Sequence, residues 1–299
     1  MLYDVSKLHA DTQAQIAASL DAGRAMWRQF PDKLLGVGND AKTVKGDKVV
    51  GPNGERYRTA ILYLAPADMS GVNVCPLAEL AVCKDPCLNT AGRGRMSSVQ
   101  MARLRKTLYF HQYRAHFMAQ LFREIEALRE KCRQDGVQLC VRLNGTSDIM
   151  WEVHGVYVTG FDEGMNGETL DPAQPYWLGG NLMQYFPDVQ FYDYTKIAKR
   201  GPQPEPNYDL TFSNSGVGGM YDRHIQAAAK AGFRFATVVR DEATKQQWAE
   251  DASLPTNPYT APVFDGDKHD LTFLRPQGAE LLLTAKGNAK TDTTGFVFD

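Results

Sequence analysis

Three cysteines within thirteen positions, Cys75-Pro-Leu-Ala-Glu-Leu-Ala-Val-Cys83-Lys-Asp-Pro-Cys87, constrain this chain more than any other feature. Thiolates are soft ligands suited to iron–sulfur clusters and to zinc, and a C-x7-C-x3-C run lets one backbone segment wrap a single site. The run just before it, Thr59-Ala-Ile-Leu-Tyr-Leu-Ala65, is apolar and reads as a buried strand that stops at Pro66. Strand, then ligand loop, is the expected order. Structural zinc usually brings C-x2-C pairs and four protein ligands, and neither spacing here matches. Three free cysteines acting as small hydrophobes is the plainer alternative, but loops seldom bury that much. The metal ligands expected are Cys75, Cys83 and Cys87, and the cofactor is a [4Fe-4S] cluster.

A cubane has four irons, so a fourth ligand must be found or its position left open. Cys132 near a helix end, Cys140 on a strand, and His111, His116 and His154 are the candidates, with the two cysteines preferred. For each of them a packing or solvated role is the plainer reading. Arg93-Gly94-Arg95, downstream of the loop, offers positive charge beside an anionic cluster, or a solvated basic turn.

The remainder of the chain alternates strand-like and helix-like stretches, which points to an α/β fold with a mainly parallel sheet. Residues 1–58 read as an N-terminal helix (9–29) and a Gly- and Lys-rich lead-in, and 59–299 as one barrel-like α/β domain. A long helix is expected from Val99 to about Gln134, capped by Ser97 or Ser98 and stopped by Gly136. In the strand from Val137 to Leu143, Leu139, Val141 and Leu143 alternate with Cys140, Arg142 and Asn144, and Asn207 to Ser213 alternates likewise. Further strands fit 189–196, 233–240, 270–274 and 280–285. A greasy face for helices and a polar face for a lumen favour a full or partial TIM-like barrel over an open sheet buried on both sides. Asn144, Asp148, Lys196, Ser213, Asn214, Arg240, Asp241 and His269 would then gather at the carboxyl ends of the strands. Gly216-Val-Gly-Gly219, before a helix at Tyr221–Ala231, could expose amides to an anion, although such turns are common without one.

Lys and Arg number 33 against 35 Asp and Glu, a formal charge of −2, so no global positive field steers the chain to nucleic acid. No apolar run approaches the roughly 20 residues of a bilayer span, and the first residues lack a basic-then-apolar leader. Five cysteines, an odd number, suit metal ligation in a reducing cytoplasm better than a secreted disulfide framework.

Several motifs in one order resemble the bacteriophage gene 88 protein family. They are Leu35-Gly-Val-Gly-Asn-Asp-Ala-Lys42, the cysteine loop with Gly92-Arg93, Arg142-Leu-Asn-Gly-Thr-Ser-Asp148, Phe191-Tyr-Asp-Tyr-Thr-Lys196 and Asp209-Leu-Thr-Phe-Ser-x-Ser215. The resemblance spans most of residues 35–240 and implies phage or prophage origin, with the host cytoplasm as the working place. It implies no particular reaction. More distantly, the strand-then-three-cysteine order is similar to radical S-adenosylmethionine enzymes. In that comparison Val141 to Asp148 stands where those enzymes carry a Gly-Gly-Glu turn. It implies S-adenosylmethionine contacts at Asn144, at Asp148 in place of the acidic residue, and at Ser213 or Asn214 facing a ribose. The C-x3-C-x2-C spacing usual there is absent.

Two classes follow: an electron-transfer module with a closed cluster and a redox partner protein, or an enzyme with an open iron and a small-molecule substrate. Cysteine spacing and the missing Gly-Gly-Glu favour the carrier, while domain size and the polar face favour the enzyme. A zinc-stabilised interaction protein is a third class. No membrane or nucleic-acid partner is expected.

Overall fold

The computed structural model describes residues 1–22, 25–38, 41–162, 169–250 and 262–299. Asn39 and Asp40 of the first motif lie outside the described residues. In chain order the strands are β1 (Leu35–Val37), β2 (Tyr57–Leu62), β3 (Gln138–Arg142), β4 (Val156–Val158), β5 (Tyr176–Gly179), β6 (Gln190–Thr195), β7 (Tyr208–Ser213), β8 (Arg234–Val239), β9 (Val263–Asp265) and β10 (Glu280–Thr284). The helices are α1 (Ala10–Asp21), α2 (Ala41–Gly46), α3 (Ser97–Gln112), α4 (Arg114–Gln134), α5 (Leu182–Tyr185), α6 (Asp222–Lys230) and α7 (Glu242–Glu250).

One eight-stranded sheet runs β1-β2-β3-β6-β7-β8-β10-β9, and β4 pairs with β5 apart from it. Every pairing in the large sheet is parallel except β1 with β2. The sheet is open: it ends in β1 and β9, each three residues long, and these short edges offer little ladder to close a barrel.

The two faces are filled differently. Leu139, Val141, Leu143, Phe191, Leu210 and Phe212 join Phe117, Leu121 and Ile125 of α4 in the main apolar core. Cys140 and Arg142 point to the other face, as alternation requires. That face is not an empty lumen. The segment 269–275 lies across it, packing Leu271 with Tyr57, Cys140 and Tyr192, and placing Asp270 2.7 Å from Arg142. Tyr194 donates its hydroxyl to Asp270 at 3.3 Å, and the Arg142 guanidinium sits 4.7 Å from the Tyr194 ring centre. Residues 270–274, expected as a strand, therefore form part of this roof, with a 3-10 turn at Thr272–Leu274; the strand near there is β9. The roof gains more from burying Leu271 and pairing Asp270 than from adding an edge strand.

The long helix is broken in two at Tyr113, whose φ of −132° leaves the helical range. Its hydroxyl donates to the Leu2 carbonyl at 2.8 Å, and its ring packs against Tyr3 and Phe30. This anchor to the amino-terminal segment overrides a continuous apolar stripe. Met96, not Ser97 or Ser98, occupies the cap position of α3, with no side-chain cap bond. Residues 1–58 share the sheet and core with the rest: Tyr3, Leu8, Ile16, Trp27 and Leu34 are buried in the main cluster, and β1 pairs with β2.

Glu280, at the start of β10, is 1% exposed, and the Thr237 side chain is a polar neighbour too weakly placed to offset its burial. Burial pushes its pKa up from 4.5 to about 7. The folded state therefore holds this proton more tightly than the unfolded chain, so the contribution to stability is fully present below about pH 4.5 and lost as pH rises to about 7. Glu280→Gln should remove that loss. Its stability advantage over the parent, followed by urea unfolding from pH 4.5 to 8, should grow by on the order of 3 kcal/mol; a pH-independent difference would refute the assignment.

Candidate metal centre

The parallel register of β2 and β3 brings two turns together at the carboxyl edge of the sheet. After β2 the chain runs into the cysteine loop; after β3 it runs into Asn144-Gly-Thr-Ser-Asp148. The Asp148 amide donates to the Val74 carbonyl at 2.8 Å, the Gly145 amide to the Leu62 carbonyl at 3.0 Å, and the Cys75 thiol lies 3.7 Å from the Thr146 carbonyl. Gly145 is required here, since a Cβ would stand 2.7 Å from the Leu62 carbonyl oxygen and 2.6 Å from the Tyr63 ring.

The loop is strained where the thiols are set. Among the described residues, only Ala67 and Val82 lack glycine's freedom yet adopt positive φ, at 47° and 45°. The Ala67 amide donates to Cys75 Sγ at 3.4 Å. Residues 77–82 form a helical turn closed by Cys83 N to Ala78 O and Val82 N to Glu79 O, each 3.0 Å. That pattern places the left-handed position, usually a glycine, on a β-branched valine, at a cost of roughly 1–2 kcal/mol. Ser215 Oγ donates to the Ala81 carbonyl at 2.9 Å and Thr294 Oγ1 to that of Val82 at 3.3 Å, holding the turn in place.

Cys75, Cys83 and Cys87 are half-buried and lie within electrostatic reach of one another. Burial pushes the Cys75 thiol up to about 12 and that of Cys87 up to about 11, so thiolates here need positive charge to form. Lys196 supplies it. This ammonium, buried just past β6, is within reach of all three thiols. It donates to the Ser213 carbonyl and hydroxyl, both at 3.0 Å, and to the Asn214 carbonyl at 3.4 Å, between the rings of Phe296 and Tyr221 at 5.1 and 5.5 Å. It makes no ion pair among the described residues, and burial lowers its pKa. Asp148, also in reach, is spent on Arg200 Nη1 at 3.3 Å, Thr195 Oγ1 at 2.8 Å and the Lys196 amide at 2.8 Å.

The other residues singled out from sequence fall into three groups. Asn144 and Asn214 reach the same edge, but their side chains are engaged within the chain. Asn144 Oδ1 accepts from Ser147, Ile149 and Trp151, and Asn214 bonds Thr237 and the Ser215 amide. Ser213, half-buried, holds Lys196. Arg240 clamps the carboxyl-terminal segment through Asp299 and the carbonyls of Ala289, Lys290 and Asp292, Asp241 caps α7, and His269 accepts from the Leu271 amide in the roof. Gly216 packs against the Gly295 carbonyl, so the glycine turn meets that terminal segment.

The proposed fourth ligands are not brought to the loop. Cys140 and Cys132 neighbour each other and Asp47 near the amino ends of β2 and β3, with Arg58 and Asp135 beside Cys132. His116 packs on Phe30, and His154 on Phe110 and Trp151. His111, exposed, is in the last turn of α3. Strand alternation explains Cys140: it is the middle residue of β3 and faces the roof with Tyr57, Tyr192 and Leu271. Among the described residues no three His, Cys, Asp or Glu side chains are grouped so as to hold a metal ion.

Arg103 and Phe296 gave no signal in the sequence, and Asp193 stood inside a motif without a role of its own. Arg103 stacks 4.6 Å over Tyr63, bonds Asn89 and lowers the Cys87 thiol. Asp193, fully buried, accepts from the Asn144 amide at 2.7 Å and Tyr208 at 2.9 Å, tying the turn after β3 to β6 and β7. Burial raises its pKa to about 7.

No helix among the described residues is long and apolar enough to cross a membrane. No curated protein and no solved structure matches the chain. The family model described as gene product 88 matches residues 33–299, nearly the whole sequence. The chain thus belongs to the gene product 88 family, the phage family that its ordered motifs resemble.

Proposed function

We propose that this protein holds an iron–sulfur cluster through Cys75, Cys83 and Cys87 at the carboxyl edge of an incomplete barrel, and that the fourth iron takes an exogenous small ligand. The observation that carries this reading is Lys196: a buried ammonium, without an ion pair among the described residues, in reach of three thiols. A buried charge is costly unless an opposite charge accompanies it, and an anionic thiolate-held cluster is such a partner. When bound, the cluster would supply one-electron exchange. Lys196 and Arg103 would offset its charge, the Ala67 amide would donate to the Cys75 sulfur, and Phe296 and Tyr221 would keep water from the ammonium.

A single zinc ion at about 2.3 Å draws its sulfurs together to within roughly 4 Å, whereas a cubane ties each thiolate to a different iron and spaces them wider. The support for a cluster here is the number and C-x7-C-x3-C spacing of the cysteines and their electrostatic reach of one another. Cys132 and Cys140 neighbour each other and Asp47, which supports a fourth position filled from outside the chain over one closed by either thiol. S-adenosylmethionine is the ligand to test, because the turn at 144–148 lies directly on the cysteine loop.

Anaerobically reconstituted protein should be brown with about four irons per chain, as a cubane requires. Serine at Cys75, Cys83 or Cys87 should each remove most of that iron, because a hydroxyl is a poor ligand for these irons. Colourless protein with stoichiometric zinc would overturn the reading. Adding S-adenosylmethionine to the reduced protein should change its electron paramagnetic resonance spectrum; an unchanged spectrum returns the protein to the carrier class.

Lys196 gives a second, independent check. In cluster-free protein Lys196→Met removes a buried charge together with its hydrogen bonds to Ser213 and Asn214, so its urea unfolding should stay within about 2 kcal/mol of the parent. The same variant should lose iron severalfold faster in air, while Lys196→Arg keeps it. If Lys196→Met retains its iron as the parent does, the ammonium is not the counter-charge.

A further inference from the structure

We propose that the rim formed by Met69, Leu88, Arg93, Arg95 and Met96 is the docking surface for a small acidic electron-carrier protein. The inference rests on the cluster reading above and names the partner of that site. Between Pro86 and Arg123 the sequence carries seven basic residues, Arg93, Arg95, Arg103, Arg105, Lys106, Arg114 and Arg123, and no acidic one. Most of these are engaged: Arg103 with Asn89, Arg105 with the Phe30 carbonyl, Lys106 with the Leu34 carbonyl and Arg114 with that of Phe110. Arg93 and Arg95 are exposed and make no ion pair or hydrogen bond among the described residues. Of the acids in and just before the cysteine loop, Asp68 and Glu79 are taken by Lys84 at 2.9 and 3.5 Å, and Asp85 stands exposed on the far side of Cys87 from Arg93 in the chain.

Large apolar side chains stand beside these two guanidiniums. Met69, Leu88 and Met96 are 47%, 49% and 50% exposed. Asn89 ties the group into one surface: its side chain meets Met69 Sδ at 3.7 Å and Arg103, and its carbonyl lies against Gly94, where a Cβ would approach to 2.4 Å. Leu88 follows Cys87 directly in the chain, so a protein seated on Leu88 is one residue from a cysteine of the site. An apolar centre with unpaired positive charge suits a partner with an apolar tip ringed by carboxylates, and charge attraction of this kind speeds encounter. The weak, rapidly exchanging contact that electron transfer needs fits so small a patch. In the step itself one electron leaves the carrier's reduced flavin and enters the cluster, leaving the flavin one electron more oxidised; no bond forms.

The probe is a bacterial flavodoxin of strongly acidic surface. Binding of oxidised flavodoxin is measured by calorimetry with both cluster-loaded and cluster-free protein, and reduction of the loaded protein is followed by the loss of cluster absorbance. Arg93→Glu/Arg95→Glu should weaken binding and slow flavodoxin-driven reduction at least tenfold at low salt, with most of the difference gone at high salt. Dithionite reduction and iron content should stay at parent values. Leu88→Ser/Met96→Ser should weaken binding severalfold with the salt dependence kept. Equal binding by parent and charge-reversed protein, or none by the parent, overturns the docking surface. So does a charge-reversal effect seen only on binding duplex DNA or on self-association. Failure of the parent to take up iron sinks the cluster reading alone, and the cluster-free binding measurement then decides the surface.

Discussion

The carboxyl edge of the sheet is organised by one buried positive charge. Lys196 follows β6, and the parallel register that sets Thr195 beside Phe212 places the lysine against Ser213 and Asn214, whose oxygens take its protons. Its own amide donates to Asp148, which fixes the turn after β3; that turn in turn bonds Val74 and adjoins Cys75. Three successive loops of a parallel sheet are thereby indexed to one ammonium. Held so, Lys196 cannot swing to solvent when the site changes charge, and an anion there meets a counter-charge already in place. Charge held in place in this way needs no reorganisation when an anion arrives.

Strain in the loop points the same way. Left-handed backbone at a β-branched residue is rare, and it persists only where the surroundings over-determine it. Val82 has such surroundings: its carbonyl accepts from Thr294, the carbonyl before it from Ser215, and Cys83 packs beside Ala285, Ala289, Phe296 and Val297. Glycine would relieve the backbone at this position but leave the next residue freer. Valine narrows the directions in which Cys83 can leave the turn.

Much of the architecture is legible in the chain because alternation along a strand depends on neighbours two residues apart. The faces of β3 and β7, and the loop order after β2, follow from such local patterns. What is not legible depends on partners far away in sequence. The break at Tyr113 comes from Leu2 and Phe30, and the filling of the polar face comes from Asp270 and Leu271, 128 residues beyond Arg142 in the case of the ion pair. The same holds at the site. The cysteines announce themselves, but the covering of the loop by residues 287–298 and the stacking of Phe296 near Lys196 leave no periodic trace.

The polar residues of the edge form a layer behind the thiols, which changes what a ligand there can touch. Asn144 and Asn214, buried, and Asp148, salt-bridged, have their side-chain oxygens committed within the chain. Breaking any of these bonds to contact a ligand would leave a buried group unpaired, at a cost of about 1–3 kcal/mol each. A ligand at this edge is therefore offered the sulfurs, the Ser213 hydroxyl and the backbone of the two turns before it is offered those side chains. With the proposed cluster in place, recognition built on sulfur and backbone would favour small ligands that bind its iron directly, and it would make the second layer responsible for geometry. Replacing Ser147 by alanine would test that division of labour in a simple way, because it removes one of the three donors to Asn144 Oδ1 and adds no charge. Any loss it causes then comes through the turn that positions Thr146 and Asp148 against the cysteine loop.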